Sequence, residues 1–452
     1  MKISPEPLRD SATKCDVQLR PTDTKRTQTY LRLCPTRRDE REISLLGRSN
    51  MKIIRHEYAS ITLEELVATS TAPGPPIADP LAEIERILAC VAKEAITGVI
   101  STDDYPGSTL AGIIAKSLGL PGADPSVNLI CQHKYYARLA QKAFVPEAVP
   151  EFALFDVDET AALPGAIRLP AFLKPVKSFF SVGAQKLISL DQLAAEQMRW
   201  TGREDFFRPF ERLLNQYARL KIGRRYLLVE SLLHGVQSTL EGYAFGGDIR
   251  VFGVVDSIMF PGTIAFKSFE YPSALPTSVQ DRMAAIARTV MTGIGFRNAM
   301  FNIEFMYDPQ SDAVSIIEIN PRMASQFADL YEKVDGFNSY SILLDLAAGR
   351  EPHPLRRKGA HNVAASCVLR TFQDMSVIAL PSSRELDDLA VRYPDIRVEV
   401  LASKGGLLSH EMQDGHSFRY GVINLGGRDP QDISDKFEDC RGRLGFAFAP
   451  VS

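Results

Sequence analysis

The sequence has no cysteine pair at C-x-x-C spacing. Its six cysteines, Cys15, Cys34, Cys90, Cys131, Cys367 and Cys440, are scattered through 452 residues. That excludes a zinc ribbon or a disulfide framework as the organising device and fits a reducing, cytoplasmic setting. No apolar run approaches the roughly 20 residues that span a bilayer, and the stretch from Ile87 to Ile100 is interrupted by Lys93 and Glu94, so no membrane partner is expected. Charge of one sign is also missing: 52 Lys and Arg stand against 55 Asp and Glu, a net charge of −3, which gives no electrostatic reason to expect nucleic acid. There is no G-x-G-x-x-G, hence no dinucleotide fingerprint, and no fixed-period repeat or low-complexity tract. What is present, 45% hydrophobic and 24% charged residues, is the composition of a globular protein, and the length suggests two to four packed units.

Residues 1–50 hold 11 Lys and Arg against 7 Asp and Glu and show little apolar periodicity, so they read as a poorly ordered tail. The alternative is an upstream extension of a chain starting at Met51. From about residue 80 the pattern becomes regular. Ile84, Ile87, Leu88 and Val91 recur at helical spacing, Gly98-Val99-Ile100 reads as a buried strand, Ser101–Asp104 as a polar loop and Thr109–Leu118 as a second helix stopped by Gly119-Leu120-Pro121-Gly122. This is part of a parallel α/β unit. A helix around Lys134–Gln141 opens a long region of irregularly alternating strands and helices. Pro352 and Pro354 suggest a boundary before a small α+β unit.

The most informative stretch is Phe301-Asn302-Ile303-Glu304-Phe305, where apolar residues alternate with Asn302 and Glu304 as in a strand. Asp308–Asp312 is turn chemistry, and Val314–Asn320 forms a second strand with Glu318 and Asn320 on one face. In such a hairpin Glu304 falls opposite Glu318, and like charges across a ladder repel. A solvated hairpin face is the ordinary reading of two strand glutamates, but Pro321-Arg322 adds a guanidinium beside them that can bind a carboxylate or phosphate. Glu304, Glu318 and Asn320 are hard oxygen ligands of the kind that suits Mg²⁺ or Mn²⁺ shared with substrate phosphates. The pattern predicts a nucleotide site.

With Glu318-Ile319-Asn320-Pro321-Arg322 preceded by Phe301–Glu304, the sequence resembles the ATP-grasp superfamily of ATP-dependent ligases over roughly residues 80–450. Three further motifs carry the resemblance. His133-Lys134 is similar to the family's lysine at the edge of the nucleotide site. Ala171-Phe172-Leu173-Lys174-Pro175 followed by Ser178–Gly183 looks like its phosphate lysine and lid loop, although this loop has one glycine and two phenylalanines. Tyr226–Gly235 resembles the hinge that holds adenine. The resemblance implies an α/β and α+β protein with the ATP-grasp fold: a pre-ATP-grasp α/β domain at 51–128, an ATP-grasp domain of two subdomains at 129–350 and a small C-terminal α+β subdomain at 351–452. It implies ATP contacts from Lys134, Lys174, Ser181, Glu230 (near the exocyclic amine), Ser231, Leu233 and Gln237, the last standing where many relatives place an acid, with Glu241 four residues on. Mg²⁺ or Mn²⁺ would be held by Glu304, Glu318 and Asn320. Arg322 and Lys174 would be the catalytic charges, and Lys267 and Arg322 would contact substrate. His234, next to a turn glycine, reads as an ordinary surface histidine.

The implied reaction is ATP-dependent joining of a small-molecule carboxylate and an amine through an acyl phosphate, with ADP and phosphate released. A biotin-carboxylase-like enzyme activating bicarbonate is the alternative, although the chain has no Ala-Met-Lys-Met-type biotinyl-lysine motif. The other alternative is an ATP-binding protein without turnover. A homodimer fits the resemblance and the prevalence of twofold assemblies.

Overall fold

The computed structural model describes residues 27–57, 79–159, 162–163, 165–178, 183–200, 207–223, 226–410 and 417–451. Three strands, β1 (Gln28–Leu33), β2 (Met51–His56) and β3 (Gly98–Ile100), form a parallel sheet in the order β2-β1-β3. Tyr30, Leu31 and Leu33 of the central strand are all buried, as in parallel strands covered on both faces. Helix α1 (Arg37–Leu45) is opened by Thr36 in a reciprocal capping box with Asp39. Helix α2 (Pro80–Val91) is capped by Asp79, and helix α3 (Gly107–Ser117) follows the loop after β3.

Residues 27–50 therefore depart from the expectation of a poorly ordered tail. They supply the strand without which β2 and β3 would share no neighbour, and the helix beside it. A six-residue strand followed at once by Arg37-Arg38-Asp39-Glu40-Arg41-Glu42 gives almost no periodic signal, because tertiary contacts rather than alternation fix it. The remainder of that segment, residues 1–26, lies outside the described residues.

Two antiparallel sheets follow. The smaller joins β4 (Phe152–Asp156), β5 (Ala171–Pro175), β6 (Gln185–Leu187) and β7 (Tyr226–Ser231) in the order β4-β7-β5-β6. The larger begins with β8 (Val236–Phe245), β9 (Asp248–Met259), β10 (Phe266–Tyr271), β11 (Ala299–Asp308) and β12 (Ala313–Asn320). Helix Thr277–Gly293 covers one face of the larger sheet with Val279, Met283, Ala287 and Val290, against Leu240, Phe301, Ile303 and Phe305. The alternation in β11 leaves the opposite face polar.

The final region does not hold together as one separate sheet. Its strands β13 (Val363–Thr371), β14 (Met375–Ala379), β15 (Arg397–Val400), β16 (Phe418–Gly427) and β17 (Ala447–Pro450) divide. β14 pairs with β17, while β13, β16 and β15 extend the larger sheet to the order β12-β11-β8-β9-β10-β13-β16-β15. The boundary suggested by Pro352 and Pro354 is thus a connection inside one continuous sheet, tied down by the buried Tyr243 hydroxyl donating to Pro352 O at 3.1 Å. Among the described residues no helix is long and apolar enough to cross a membrane.

Candidate functional site

Charged side chains meet where the small antiparallel sheet, the polar face of the large sheet and the loop after β3 converge. Lys134 is the first residue of helix Lys134–Phe144. The preceding His133 caps that helix: its Nδ1 accepts the Tyr136 N–H at 3.4 Å, and its Nε2 lies 2.9 Å from Ile222 O. A carbonyl partner requires Nε2 to carry the proton. Burial pushes the imidazole pKa down to about 4, so His133 is a neutral structural cap. Lys134 N–H then donates to Val176 O at 2.8 Å. Its Nζ reaches Glu318 Oε1 at 2.9 Å and Ser178 O at 3.3 Å, so one lysine ties the end of β5 to β12.

One helical turn on, Arg138 donates to Glu230 on β7 at 2.5 and 3.2 Å and to the carbonyls of Ile316 and Ile317 at 2.8 and 2.9 Å. Lys174 at the end of β5 reaches the same carboxylate at 2.7 Å. All three side chains are buried. Burial alone would raise the Glu230 pKa, but Arg138 and Lys174 overcome it and bring the group down to about 2. Both oxygens of Glu230, the residue expected beside the adenine amine, are engaged by Arg138 and Lys174. Ser231 and Leu233 lie at the crossing from β7 to β8, with Ser231 N–H bonded to Glu151 O at 2.9 Å. The crossing turns at Gly235, whose φ is +120° and whose missing Cβ would strike the Tyr307 carbonyl.

On the large sheet, Glu304 pairs in register with Glu318 and Asn302 with Asn320. Gln237 Nε2 donates to Glu304 Oε2 at 3.0 Å, and Asn320 Nδ2 to Asn302 Oδ1 at 3.0 Å and Glu304 Oε1 at 3.4 Å. Burial, then the Glu318 charge, pushes Glu304 up to about 7. Burial opposes ionisation of Glu318 as well, but Lys134 and Lys174 hold it below the usual range. Two facing carboxylates, one of which struggles to ionise beside the other, are a donor set that a divalent cation would relieve. Among the described residues no group of three or more His, Cys, Asp and Glu side chains could hold a metal ion. A site of two carboxylates and an amide suits Mg²⁺, which takes few protein oxygens together with phosphates, better than a closed structural metal site.

Arg322, just past β12, has its Nε 3.2 Å from Asp104 Oδ1, and Lys177 Nζ lies 3.2 Å from Asp104 Oδ2. Lys177 is buried over the rings of Tyr105 and Phe210, at 5.2 and 5.7 Å from their centroids. Burial works to raise the Asp104 pKa, but Lys177 and Arg322 hold it far below the usual carboxylate range. Its neighbour Asp103 is pushed up to about 6 by burial, against the pull of the Gly107 N–H. Glu241, fully buried on the polar face, accepts the Ala324 N–H at 2.6 Å and so braces the loop that carries Arg322. Burial raises its pKa to about 7.

The structure thus brings together Lys134, Lys174, Glu230, Gln237, Glu304, Glu318, Asn320 and Arg322. Lys267 is exposed at the bulge of β10, two strands from β8, and among the described residues no hydrogen bond or ion pair joins it to the cluster. Ser181 lies outside the described residues. Sequence reasoning missed Arg138, Lys177 and Asp104. Arg138 was detectable as a charge four residues after Lys134 on one helix face, and Asp104 as an acid in the loop at the carboxyl end of a parallel strand.

Residues 167–329 match the family model for the ATP-grasp domain. The chain is 24% identical over 277 residues to the C-terminal section of the carbamoyl phosphate synthase large chain of Methanopyrus kandleri, covering 59% of this chain. That match spans about half, 47%, of the curated relative. Among solved structures, the L-amino acid ligase from Bacillus licheniformis is similar with a TM-score of 0.70 at 14% identity, over 94% of this chain and all of that one. The biotin carboxylase domain dimer of the Hydrogenobacter thermophilus 2-oxoglutarate carboxylase, solved with MgADP and bicarbonate, is similar at 0.64 and 13% identity, over 93% and 90% of the two chains. At these identities the likeness establishes the fold.

Proposed function

We propose that this protein, whose residues 167–329 match the ATP-grasp domain, is an ATP-dependent ligase that joins a small carboxylate to an amine through an acyl phosphate. The observation that carries this reading is the convergence of Lys134, Lys174, Lys177 and Arg322 on a face bearing Glu304, Glu318 and Asn320. Phosphoryl transfer asks a protein for positioning and charge neutralisation more than for covalent chemistry, and this cluster offers those. Mg²⁺ or Mn²⁺, held by Glu304, Glu318 and Asn320, would neutralise the triphosphate. Lys134 and Lys174 would bind phosphate oxygens, with Arg138 and Glu230 positioning Lys174. Backbone groups at Ser231 and Leu233 would read the adenine edge. Gln237 would keep Glu304 oriented, and Ser181 and Lys267 would contact phosphate and substrate.

In the first step a carboxylate oxygen attacks the γ-phosphorus and ADP leaves. In the second the amine attacks the acyl carbon, phosphate leaves and the amine gives up its proton. Arg322 would neutralise charge on the acyl phosphate and the tetrahedral adduct, exchanging its partner Asp104 for the substrate. A homodimer and a cytoplasmic setting complete the proposal.

The test is release of ADP and phosphate from Mg·ATP with pairs of amino acids and small acids, with bicarbonate plus free biotin as a separate arm. Release that needs both a carboxylate and an amine supports the ligase. Release with bicarbonate and biotin alone replaces it with a carboxylase, and tight ATP binding with no release across the scan replaces it with a binding protein. Glu318→Ala should leave the fold intact and lower turnover at least a hundredfold. Near-parent ADP release in that variant would sink the metal assignment.

A further inference from the structure

Residues 28–56 hold seven Lys and Arg against three Asp and Glu; Arg38 and Arg41 pair with Glu399, Arg48 with Asp345 and Lys52 with Glu94, while Arg32 and Arg55 stand beside Glu40. Arg32 on β1 and Arg55 on β2 are direct neighbours in the parallel register, a like-charge pairing that costs free energy unless compensated. Arg32 is 4% exposed, its Nε has no hydrogen-bond partner, and its contact to Glu40 Oε1 is long at 3.4 Å. The same Glu40 oxygen is committed to Arg55 at 2.7 Å, with Glu57 reaching Arg55 only at 3.6 Å, so Glu40 is the near carboxylate for both guanidiniums. These groups line an open cleft of about 340 Å³ between α1 and β2, together with Met51, Ile53 and Arg48, the last of which is paired with Asp345 at 2.9 Å. A buried guanidinium with an unused donor is costly, and an oxyanion taking the place of Glu40 would give Arg32 a charged partner of its own.

We infer that this cleft is a second ligand site, for a small organic anion with a phosphate or carboxylate head and an apolar body. The head sits between Arg32 and Arg55, in bidentate reach of planar guanidiniums, and displaces Glu40. The body lies on Met51 and Ile53. The size is that of small-ligand pockets. The inference stands apart from the proposed ligase chemistry, which uses none of these residues.

The test is calorimetric titration at constant chloride with inorganic phosphate and with phenyl phosphate, on the parent and on Arg55→Ala, Glu40→Gln and Lys134→Ala. Phenyl phosphate should bind more tightly than inorganic phosphate. Arg55→Ala should weaken it by about tenfold, the worth of one charge-assisted contact. Glu40→Gln should tighten it by about threefold or more, because the competing carboxylate is gone, a gain that a merely structural Glu40 would not give. Lys134→Ala should leave it unchanged. No saturable binding to the parent, equal affinity in the parent, Arg55→Ala and Glu40→Gln, or a loss in Lys134→Ala that marks the nucleotide cleft would each overturn the inference.

Discussion

Arg138 makes five hydrogen bonds inside the protein, to Glu230, Gln141 and two carbonyls of β12. Removing one member of a buried ion pair leaves the other charge uncompensated, at a cost of about 3–5 kcal/mol. Arg138→Met should lower the melting temperature accordingly. It should also shrink the acid-side loss of stability. Glu230 is depressed to about 2 in the folded protein, so its contribution is present above its unfolded value near 4.5 and is lost as pH falls from there toward 2. Glu241 has the opposite sign. Its folded pKa is raised to about 7, so the unfolded chain ionises first and stability is lost as pH rises from about 4.5 to 7. Glu241→Gln keeps an oxygen for the Ala324 N–H and removes that loss. It should be about 1–3 kcal/mol more stable than the parent at pH 8 and no different in that respect at pH 4, as read by denaturant unfolding at the two pH values. At this scale the sequence exposes residues that alternate on one strand pair, Glu304, Glu318, Asn320 and Arg322. It hides Arg138 and the way Arg138 and Lys174 share Glu230, because the Arg138 contact joins segments 92 residues apart and no local period encodes it.

The elements that were easiest to read are those whose own pattern determines them. The hairpin of β11 and β12 shows its alternation and its turn of Asp308–Asp312 in sequence, but the pairing of Glu304 with Glu318 also needs an irregularity between Glu304 and Phe305, where the register slips by one residue past Ile317. β1 is the counterexample: its residues are buried on both faces, so it has no polar side to alternate with. The crossing from β7 to β8 shows a third case, where one residue sets the relation between two sheets. Gly235 combines φ +120° with a close approach to the Tyr307 carbonyl. Gly235→Ala should cost about 1–3 kcal/mol from backbone strain. Since Ser231 and Leu233 lie in the same crossing, it should also weaken ATP binding by more than Val236→Ala does. Equal affinity in the two variants would separate this turn from the nucleotide site.

For the whole molecule, the contacts that join its parts are long-range and buried. Asp39 accepts hydroxyl hydrogen bonds from Thr102 and Tyr340, both at 2.6 Å, and Tyr30 donates to Leu344 O at 3.2 Å. Arg38 forks onto Glu399 at 2.7 and 2.5 Å and reaches Ser325 Oγ at 3.1 Å, and Arg41 adds a third contact to Glu399 at 2.9 Å. No feature of residues 38 and 399 taken singly predicts their pairing, which is why this link between the first and last parts of the chain is not legible in the sequence. The pairing also has a consequence for the site, because Ser325 lies three residues past Arg322 on the loop that Glu241 braces. Arg38→Ala leaves Glu399 with Arg41 alone and frees Ser325. The N-terminal unit should then show faster amide hydrogen exchange in β1, since its anchor to β15 is halved. ATP affinity, set by Lys134, Lys174 and the crossing after β7, should hold within about twofold, while turnover falls as Arg322 loses a fixed backbone. A variant with weakened ATP binding and parent-like turnover would place Arg38 in folding alone and break the link between this anchor and the substrate arginine.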